Sequence, residues 1–513
     1  MRSPRVLLIV ALVASVVLAA IPAAAADYRN GGRLATLTGA IASSLGVTAT
    51  TITRPEATTT AVTRPTPTTS VPSAVATRAA SLTACAWPVE STPAKANVFY
   101  PDANATYWTT PFIAAKGVTI TIAGTYPDAR YFSVQVYNAA AQNYSAPVYG
   151  TSAISDYQLT PAATNPWVTA GVGTAGTYAV TVSDTAPAGT ANLLPLPPAV
   201  RKPVGALDAD MGFLMIRVYL PNGSNDDASV VPLPTVSFAG PRGGAVTLQP
   251  CTSAQTAPSQ ASQIKKAVVK AQVDKWLAGS GAPAPIPMCE HKQSGCMAPL
   301  AFFKAGLKTT PFPNASSSYV ASLYTRAAGY VTVVKAAMPS SSTAAGDSPA
   351  PWSTVGPPQL RYWSICSYLH QAPFPVVSSA GSNGCAADEQ LSTATTGGVA
   401  YVALSQRASR PPSLASVPSP ATVAWLPVST NGTQAAGLVA VRNMLPSQAL
   451  PYDLKSTPQS DVAAAQTAMG VYYPEIAQCT TATFNAAAKQ AGNGQAGALA
   501  GVRACFANPA SPN

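Results

Sequence analysis

Charged side chains and histidine are scarce in this sequence. Charged residues make up 10% of the 513 residues, and the only histidines are His291 and His370. A Ser-His-Asp hydrolase would have to use one of these two, and no complete G-x-S-x-G nucleophile motif occurs. The chain also lacks a dense run of Lys and Arg interleaved with aromatic residues, which argues against a nucleic-acid partner.

Long hydrophobic runs are confined to the N-terminus. Met1–Arg5 is basic, Val6–Ala20 is apolar, and Ala24–Ala26 supplies small residues. This order predicts a secretory signal peptide over residues 1–26. No later stretch approaches the roughly 18 apolar residues that a membrane span needs. We therefore predict a protein without a transmembrane segment that is secreted to the extracellular space or associated with the cell wall.

Positive charge exceeds negative charge. The formal net charge is +11, and it falls to +9 once Arg2 and Arg5 leave with the signal peptide. Such a balance favours acidic polysaccharides or other anionic surfaces as partners. The alternative is a solvated basic surface without a specific partner.

Cysteines occur in an even number, which in an exported chain favours disulfides. A nearest-neighbour arrangement would pair Cys85 with Cys251, Cys289 with Cys296, Cys366 with Cys385, and Cys479 with Cys505. Other connectivities are compatible with the same sequence.

Residues 27–83 are rich in Thr, Ala, Ser and Pro without apolar periodicity. Such a composition cannot build a core, so we predict a disordered, extended stalk. The exported chain is also a candidate for glycosylation, because N-x-S/T sequences occur at Asn104, Asn143, Asn222, Asn314 and Asn431.

One eight-residue pattern occurs twice. Arg130–Tyr137 and Arg361–Tyr368 both read R-Y-aromatic-S-x-x-x-Y. At the two-residue period of a strand, Phe132 and Trp363 fall on an apolar face, with the tyrosines on the opposite face. The pattern therefore predicts one half-buried strand that is used twice.

Further matches flank the two copies in the same order. They pair Asn104-Ala105-Thr106 with Asn314-Ala315-Ser316, Gly117–Ile122 with Gly329–Val334, Gly176–Ser183 with Gly398–Ser405, and Arg217–Pro221 with Arg442–Pro446. This order predicts an internal duplication and a mainly β fold, in which two β-sandwich or jelly-roll-like domains follow each other.

Changes of hydrophobic period suggest the domain boundaries. The first β domain is predicted over residues 84–252, with strand patterns at 117–123, 130–138, 176–183 and 212–220. A helical connector, 253–288, separates it from the second β domain, 289–458. Alanine-rich stretches around 461–470 and 480–490 predict a helical tail over 459–513.

The repeated strand supplies the candidate ligand-binding residues, which are Arg130, Tyr131, Tyr137, Arg361, Tyr362 and Tyr368. An arginine beside a tyrosine-bearing surface could grip a carboxylate or a sugar by forked hydrogen bonds and stacking. The alternative is a structural arginine paired with a buried carboxylate. Strict alternation favours this alternative, because it places Arg130 on the side of Phe132.

No cofactor and no metal ion is predicted. Gly171–Gly176 matches G-x-G-x-x-G, but a strand pattern follows it where a dinucleotide site needs a helix. Cys289, His291 and Cys296 have the chemistry of metal ligands, yet a disulfide between the two cysteines is favoured in an exported chain.

Several short runs carry a family resemblance. They are Asn97–Asp102 with Tyr107-Trp108, Tyr126–Tyr131, Asn165–Trp167, Arg217–Tyr219, Leu233-Pro234, Arg361–Ser364 with Cys366, Arg442–Pro446, and Tyr472–Pro474 before Cys479. With these runs, residues from about 85 to 480 resemble a family of exported, uncharacterised β-rich proteins best represented in actinobacteria and other bacteria. The runs are marks of the family and not catalytic signatures, so the resemblance implies no particular activity.

The sequence thus predicts an exported, disulfide-bonded protein that binds carbohydrate, cell-wall or extracellular-matrix material, and it leans away from an enzyme. One alternative is a secreted hydrolase acting on glycans or esters, and a second is a structural cell-wall glycoprotein. A binder should bear exposed aromatic side chains beside Arg130 or Arg361. A hydrolase should show two facing carboxylates, or a serine near a histidine in a cleft, and a structural protein should show neither.

Overall fold

In the computed structural model of the protein, the described residues are 72–173, 175–201, 208–221, 230–252, 300–305, 311–342, 351–371, 373–391, 398–414, 420–431, 435–492 and 494–510. All of them fall within the unit Thr68–Asn513. The predicted signal peptide, the connector 253–288, the pair Cys289 and Cys296, and Asn222 lie outside the described residues.

Strands dominate the first half of the chain. They are β1 (Val89–Ser91), β2 (Ala105–Ile113), β3 (Thr119–Thr125), β4 (Ala129–Asn138), β5 (Ser145–Ala146), β6 (Gly150–Thr151), β7 (Ala153–Ser155), β8 (Thr177–Ser183), β9 (Leu193–Pro195), β10 (Met211–Pro221), β11 (Thr235–Ala239) and β12 (Ala245–Leu248). Sheet 1 has the order β1-β2-β10-β4-β7, and sheet 2 has the order β12-β11-β3-β8-β9.

The second half repeats this arrangement. Its strands are β13 (Phe303–Lys304), β14 (Ser317–Thr325), β15 (Tyr330–Ala337), β16 (Leu360–Leu369), β17 (Cys385–Ala387), β18 (Val399–Ser405), β19 (Val423–Pro427), β20 (Ala436–Pro446) and β21 (Glu475–Thr480). Sheet 3 has the order β13-β14-β20-β16-β17, and sheet 4 has the order β19-β18-β15-β21.

The helices are short and lie at the ends of the described chain. They are α1 (Ala74–Ala79), α2 (Val462–Met469), α3 (Thr481–Gln490) and α4 (Gly494–Ala507). Asp461 begins α2 as an N-cap whose side chain accepts a hydrogen bond from the Ala464 backbone, and Thr480 does the same for α3. No described helix is long and apolar enough to cross a membrane.

Alternating side chains bring the sheets together in pairs. In the first sandwich, Phe132 and Val134 of sheet 1 pack against Ile120 and Val180 of sheet 2. In the second sandwich, Trp363 and other apolar residues of sheet 3 pack against sheet 4 in the same way. The prediction of a mainly β, sandwich-like fold with a short helical C-terminal region is therefore confirmed.

The outer faces of sheets 1 and 3 form a third core. Tyr131, Tyr137 and Met215 of sheet 1 cluster there with Tyr362 and Met444 of sheet 3. As a result β4 is buried at every position except its last residue, and so is β16. The prediction of a half-buried strand is wrong on this point, because the second copy of the strand pattern covers the face that alternation left open.

The two sandwiches share one pairing register. In β10, Arg217 lies opposite Tyr107 and Ser133. In β20, Arg442 lies opposite Tyr319 and Ser364. We call residues that share a place in this register equivalent. An internal duplication would leave such a correspondence, and the duplication itself stays a prediction.

The register corrects one sequence match. The Asn104 backbone donates to Asp102 Oδ1 over 2.9 Å, and the Ser316 backbone donates to Asn314 Oδ1 over 3.0 Å. Asn314 is therefore equivalent to Asp102. The sequence match pairs Asn314 with Asn104, which lies two residues further along the chain.

The ends of the chain differ in detail from the expected organisation. Helix α1 lies within the predicted stalk 27–83, yet its Ala76 and Ala79 are buried. The tail contains both predicted helices, near 461–470 and 480–490, and it also contributes β21, which pairs with β15 in sheet 4. The tail is thus built into the second sandwich.

Disulfides join distant parts of the described chain. Cys85 pairs with Cys251, Cys366 with Cys385, and Cys479 with Cys505. These are the pairs of the nearest-neighbour arrangement. The first closes the two ends of the first sandwich, and the third ties β21 to α4.

Gly212 of β10 and Gly437 of β20 occupy equivalent places. Because glycine has no side chain, an aromatic ring packs directly over the strand at each position. A Cβ atom on Gly212 would lie 2.5 Å from Cζ of Phe112, and one on Gly437 would clash with the ring of Tyr324. Both rings are buried, so neither can move into solvent.

We expect Gly437→Ala to lower the free energy of unfolding by about 1–3 kcal/mol, the usual effect of overpacking a core. Chemical denaturation would measure this beside Gly356→Ala, because no heavy atom lies within 4 Å of a Cβ built on Gly356. Equal stability of the two variants would contradict the role given to the Tyr324 ring.

Candidate functional site

The interior between sheets 1 and 3, which we call the seam, contains most of the buried charge of the described chain. Its members are the arginines Arg130, Arg217, Arg361 and Arg442, the buried carboxylates Asp102, Asp156 and Asp388, and the partly exposed Glu389. Buried charges are costly unless they are paired. The contacts of these residues therefore decide how the seam is built.

Two ion pairs cross the seam in opposite directions. Arg130 donates through Nη1 to Asp388 over 3.2 Å and through Nη2 to Glu389 over 2.7 Å. Arg361 Nη2 lies 3.4 Å from Oδ1 of Asp156. Each sandwich thus supplies the arginine for an aspartate of the other, as in the self-complementary interface of a twofold dimer.

The two aspartates occupy equivalent places. Asp156 follows β7 and Asp388 follows β17, each as the first residue of a short 3-10 helix. Asp156 Oδ2 accepts the Phe132 backbone N–H over 2.9 Å, and Asp388 Oδ2 accepts that of Trp363 over 3.2 Å. Each carboxylate therefore links an edge strand, the repeated strand beside it and an arginine of the other sandwich.

Burial dominates the electrostatics of these pairs. It raises the pKa of Asp156 to about 6, although Arg361 and two backbone N–H groups lower it. It also raises the pKa of Asp388 against the opposing effect of Arg130, and it lowers the pKa of Arg361 to about 10. The pairs recover only part of the solvation that their charges lose.

A third link uses Asp102, which lies before β2 but contacts sheet 3. Its Oδ2 accepts from Ser364 Oγ over 2.7 Å and from the Tyr362 hydroxyl over 3.1 Å, and it lies 3.3 Å from Arg442 Nε. Asp102 is fully buried. These contacts anchor the start of the first sandwich to the second.

All six candidate ligand-binding residues lie in this interior. Arg130, Tyr131, Tyr137, Arg361, Tyr362 and Tyr368 are at most 3% exposed. Their contacts are those of the structural alternative, in which the arginines pair with buried carboxylates. A ligand would reach them only if sheets 1 and 3 separated, so their role in binding stays a prediction.

His370 is the histidine that the structure describes. Neither ring nitrogen has a hydrogen-bond partner there, and burial lowers the pKa of His370 to about 4. Its ring lies 6.0 Å from the Phe374 ring, measured between the centroids. His370 is therefore not arranged as the base of a Ser-His pair in this structure.

The candidate glycosylation residues differ in accessibility. Asn104 is fully buried and donates through Nδ2 to the Tyr362 hydroxyl, and Asn314 is buried beside Gln135. Asn143 is partly buried and bonded to Pro313, whereas Asn431 is exposed. Of these four residues, Asn431 is the most accessible to solvent.

One group combines a carboxylate with sulfur atoms. Asp102, Cys366 and Cys385 have potential ligand atoms within 4.8 Å of one another. The two sulfurs are bonded to each other in a disulfide, so they are not thiolate ligands.

A basic surface lies at one end of the second sandwich. Arg407 begins a 3-10 helix after β18, and Arg410 follows it directly. Since a 3-10 helix has three residues per turn, both side chains lie on the same side. Arg410 stacks over the buried Trp425 with its Cζ 4.1 Å from the ring centroid, and it donates through Nη2 to the Leu414 carbonyl.

Arg326 brings a third arginine to this end. It donates through Nη1 to the carbonyls of Ser429 and Asn431, over 2.8 and 2.5 Å, and its own carbonyl accepts from Gln406 Nε2. The turns after β14, β18 and β19 therefore meet here. We call Arg326, Arg407 and Arg410 the basic end.

Positive charges lie close together at the basic end, and no described carboxylate pairs with Arg407 or Arg410. Neither forms an ion pair with a described residue. Burial lowers the pKa of Arg410, and the neighbouring Arg407 lowers it further. An anion placed between the two guanidinium groups would relieve this repulsion.

The sequence interpretation identified neither the carboxylates of the seam nor the arginines of the basic end. A repeated D-x-Q, Asp156-Tyr157-Gln158 and Asp388-Glu389-Gln390, follows the two strand copies at similar distances and could have revealed the carboxylates of the seam. At the basic end, the only sequence signal is Arg407 and Arg410 at a spacing of three before Pro411-Pro412.

Comparisons with known proteins give distant structural similarity. No family model and no curated protein matches the chain. An uncharacterized protein from Burkholderia cenocepacia is similar with a TM-score of 0.42 and 12% identity, over 80% of this chain and 86% of that one. A protein from Vibrio parahaemolyticus is similar with a TM-score of 0.35 and 12% identity, over 74% of this chain and 90% of that one. Neither similarity implies an activity for this chain.

We expect Arg361→Met to lower the free energy of unfolding by about 3–5 kcal/mol, because it leaves the Asp156 carboxylate buried without its cation. Adding Asp156→Asn should recover part of this loss, since the amide is neutral and keeps an oxygen for the Phe132 N–H. Chemical denaturation would compare both with Arg78→Met, which breaks the exposed pair with Asp210 and should cost about 0–1 kcal/mol. A double variant as unstable as Arg361→Met alone would contradict the pairing.

The raised pKa of Asp156 also sets a pH dependence. Its ordinary value is 3.8, so the folded chain holds this proton more tightly than the unfolded chain. The stability contributed by this group is complete below pH 3.8 and is lost as the pH rises through about 6. The full change is roughly 3 kcal/mol.

Asp156→Asn removes this titration. The wild type should lose up to that amount of stability between pH 4 and pH 7, and the variant should not. The free energy of unfolding of the variant minus that of the wild type should therefore rise by up to that amount over this range, even if the substitution also has a cost that does not depend on pH. Denaturation series at several pH values would measure the difference. A difference that does not change with pH would show that the pKa of Asp156 is not raised.

Proposed function

We propose that the protein acts outside the cell and binds an acidic polysaccharide of the cell wall or matrix through the basic end. The observation that carries this proposal is the pair Arg407 and Arg410, which share one side of a 3-10 turn without a described acidic partner. Disulfides among the described residues fit an extracellular protein. Export by the predicted signal peptide and membership of the exported β-rich family belong to the same proposal.

The distribution of charge supports a surface role. The seam contains as many acidic side chains as arginines, so the net charge of +11 belongs to the rest of the chain. Outside the seam, the described basic residues of the second half are Lys304, Arg326, Lys335, Arg407, Arg410, Lys455, Lys489 and Arg503, and the acidic ones are Asp453, Asp461 and Glu475. In the first half, Arg78, Lys95, Lys116, Arg201 and Arg242 are matched by Glu90, Asp128, Asp184, Asp208 and Asp210. The excess positive charge of the described surface is therefore on the second half.

The chemistry of the basic end suits a polymer with repeated carboxylates. A guanidinium group can hold a carboxylate by two parallel hydrogen bonds. Stacking on Trp425 restrains Arg410, so less side-chain entropy is lost on binding. One exposed arginine binds weakly, but two on the same side can hold successive acidic groups and gain from multivalency.

Affinity electrophoresis would test this proposal with polygalacturonate as the acidic polymer and dextran as the neutral one. We expect the mature wild type to be retarded by polygalacturonate alone, and increasing salt to weaken the retardation by screening. The variant Arg407→Gln/Arg410→Gln should bind about tenfold more weakly, because it loses charge-assisted hydrogen bonds worth about 1.5 kcal/mol.

The matched control is Arg242→Gln, which removes one exposed arginine from the turn between β11 and β12 of the first sandwich. The single variant Arg407→Gln gives the same change in net charge. Equal loss of retardation in these two would show that net charge and not the basic end binds the polymer. Release of reducing ends from the polymer would favour the hydrolase alternative, and no retardation by any polymer would refute the proposal.

A further inference from the structure

Arg217 is a buried cation without a carboxylate. It is 5% exposed and donates through Nη2 to the Tyr137 hydroxyl over 2.7 Å and to the Phe312 carbonyl over 2.5 Å. Its Cζ lies 5.0 Å from the centroid of the Tyr107 ring. These partners are neutral, and no described acidic residue forms an ion pair with Arg217.

The equivalent residue Arg442 has the corresponding ring and carbonyl contacts, donates to the Tyr219 hydroxyl, and has one carboxylate partner. Its Cζ lies 4.9 Å from the Tyr319 ring, and its Nη2 lies 3.5 Å from the Tyr100 carbonyl. In addition, its Nε lies 3.3 Å from Oδ2 of Asp102. Arg217 occupies the equivalent place in the first sandwich. There the amide of Asn314 takes the place that the Asp102 carboxylate has beside Arg442.

The amide of Asn314 is oriented by its own contacts. Oδ1 accepts from the Ser316 backbone over 3.0 Å and from Gln135 Nε2 over 2.9 Å. If the amide were rotated by 180°, its NH₂ group, which is itself a donor, would face these two donors. Nδ2 of Asn314 therefore takes the place of the second Asp102 oxygen, and it is buried without a hydrogen-bond partner.

Nε of Arg217 is likewise buried without a hydrogen-bond partner. Asn314 Nδ2 and Arg217 Nε are thus two donors without a hydrogen bond, and the second belongs to a cation without an ion pair. Arg442 Nε also lacks a hydrogen bond, but it lies 3.3 Å from a carboxylate oxygen of Asp102. Each unpaired donor costs free energy, and the unpaired charge costs more. An acceptor with negative charge would satisfy both donors together.

We propose that a chloride-sized monovalent anion binds between Arg217 Nε and Asn314 Nδ2, in the role that the Asp102 carboxylate has at Arg442. The surrounding Tyr107, Gln135 and Tyr137 are buried, so the site excludes a polymer. The site is distinct from the basic end and does not depend on the proposed function.

The isosteric variant Asn314→Asp supplies the missing carboxylate and gives a direct test. We expect the melting temperature of the wild type to rise by about 1–2 °C for each tenfold increase in chloride above the dissociation constant, with gluconate replacing chloride at constant ionic strength. Asn314→Asp should show no dependence on chloride, and in gluconate it should melt above the wild type.

Arg217→Met is the second test variant, because the slope against chloride can be measured whatever its absolute stability. It should also lose the dependence, while Arg78→Met, at an exposed arginine, should keep it. A wild type that does not respond to chloride would overturn the proposal and indicate a bound water in place of the anion. A slope that survives in both Asn314→Asp and Arg217→Met would also overturn it, because the ion would then bind elsewhere.

Discussion

The exchange of arginines across the seam is the constraint on which the rest of the structure depends. Arg130 pairs with Asp388, directly after β17 of the second sandwich, and Arg361 pairs with Asp156, directly after β7 of the first. A buried guanidinium or carboxylate without its partner would cost several kcal/mol. Neither sandwich can therefore bury its own repeated strand, and the tyrosine faces of both become interior only when the two halves pack together.

This packing changes where function can reside. The repeated strand carries the most distinctive side chains of the chain, and all of them are engaged within the protein. The turns at the ends of the sandwiches have fewer packing constraints than the strands between them. The basic end is such a place, because Trp425 and Leu414 hold Arg410 while Arg407 remains exposed.

Equivalence between the halves also shows where they differ. Arg217 and Arg442 occupy matching places against Tyr107 and Tyr319. They differ in one neighbouring group, which is the amide of Asn314 beside Arg217 and the carboxylate of Asp102 beside Arg442. This difference involves only a few atoms, yet it changes the local charge by one. In a buried site such a change is large in energy, because the surrounding protein screens charge poorly.

The sequence alone predicted the strands β3, β4, β8 and β10 with their counterparts in the second half, and the short C-terminal helices, because side-chain periodicity is a local property. It offered the nearest-neighbour disulfides that the described cysteines form as one of several possible arrangements. It misassigned the environment of Tyr131 and Tyr362, since alternation separates two faces but does not say whether water or another sheet covers them. It also matched Asn314 with Asn104 by identity, whereas the hydrogen bonds of the turn place it with Asp102. Only the tertiary structure decided the ion pairs of the seam, whose members lie 205 and 258 residues apart in the chain and meet because two sheets bury each other's charges.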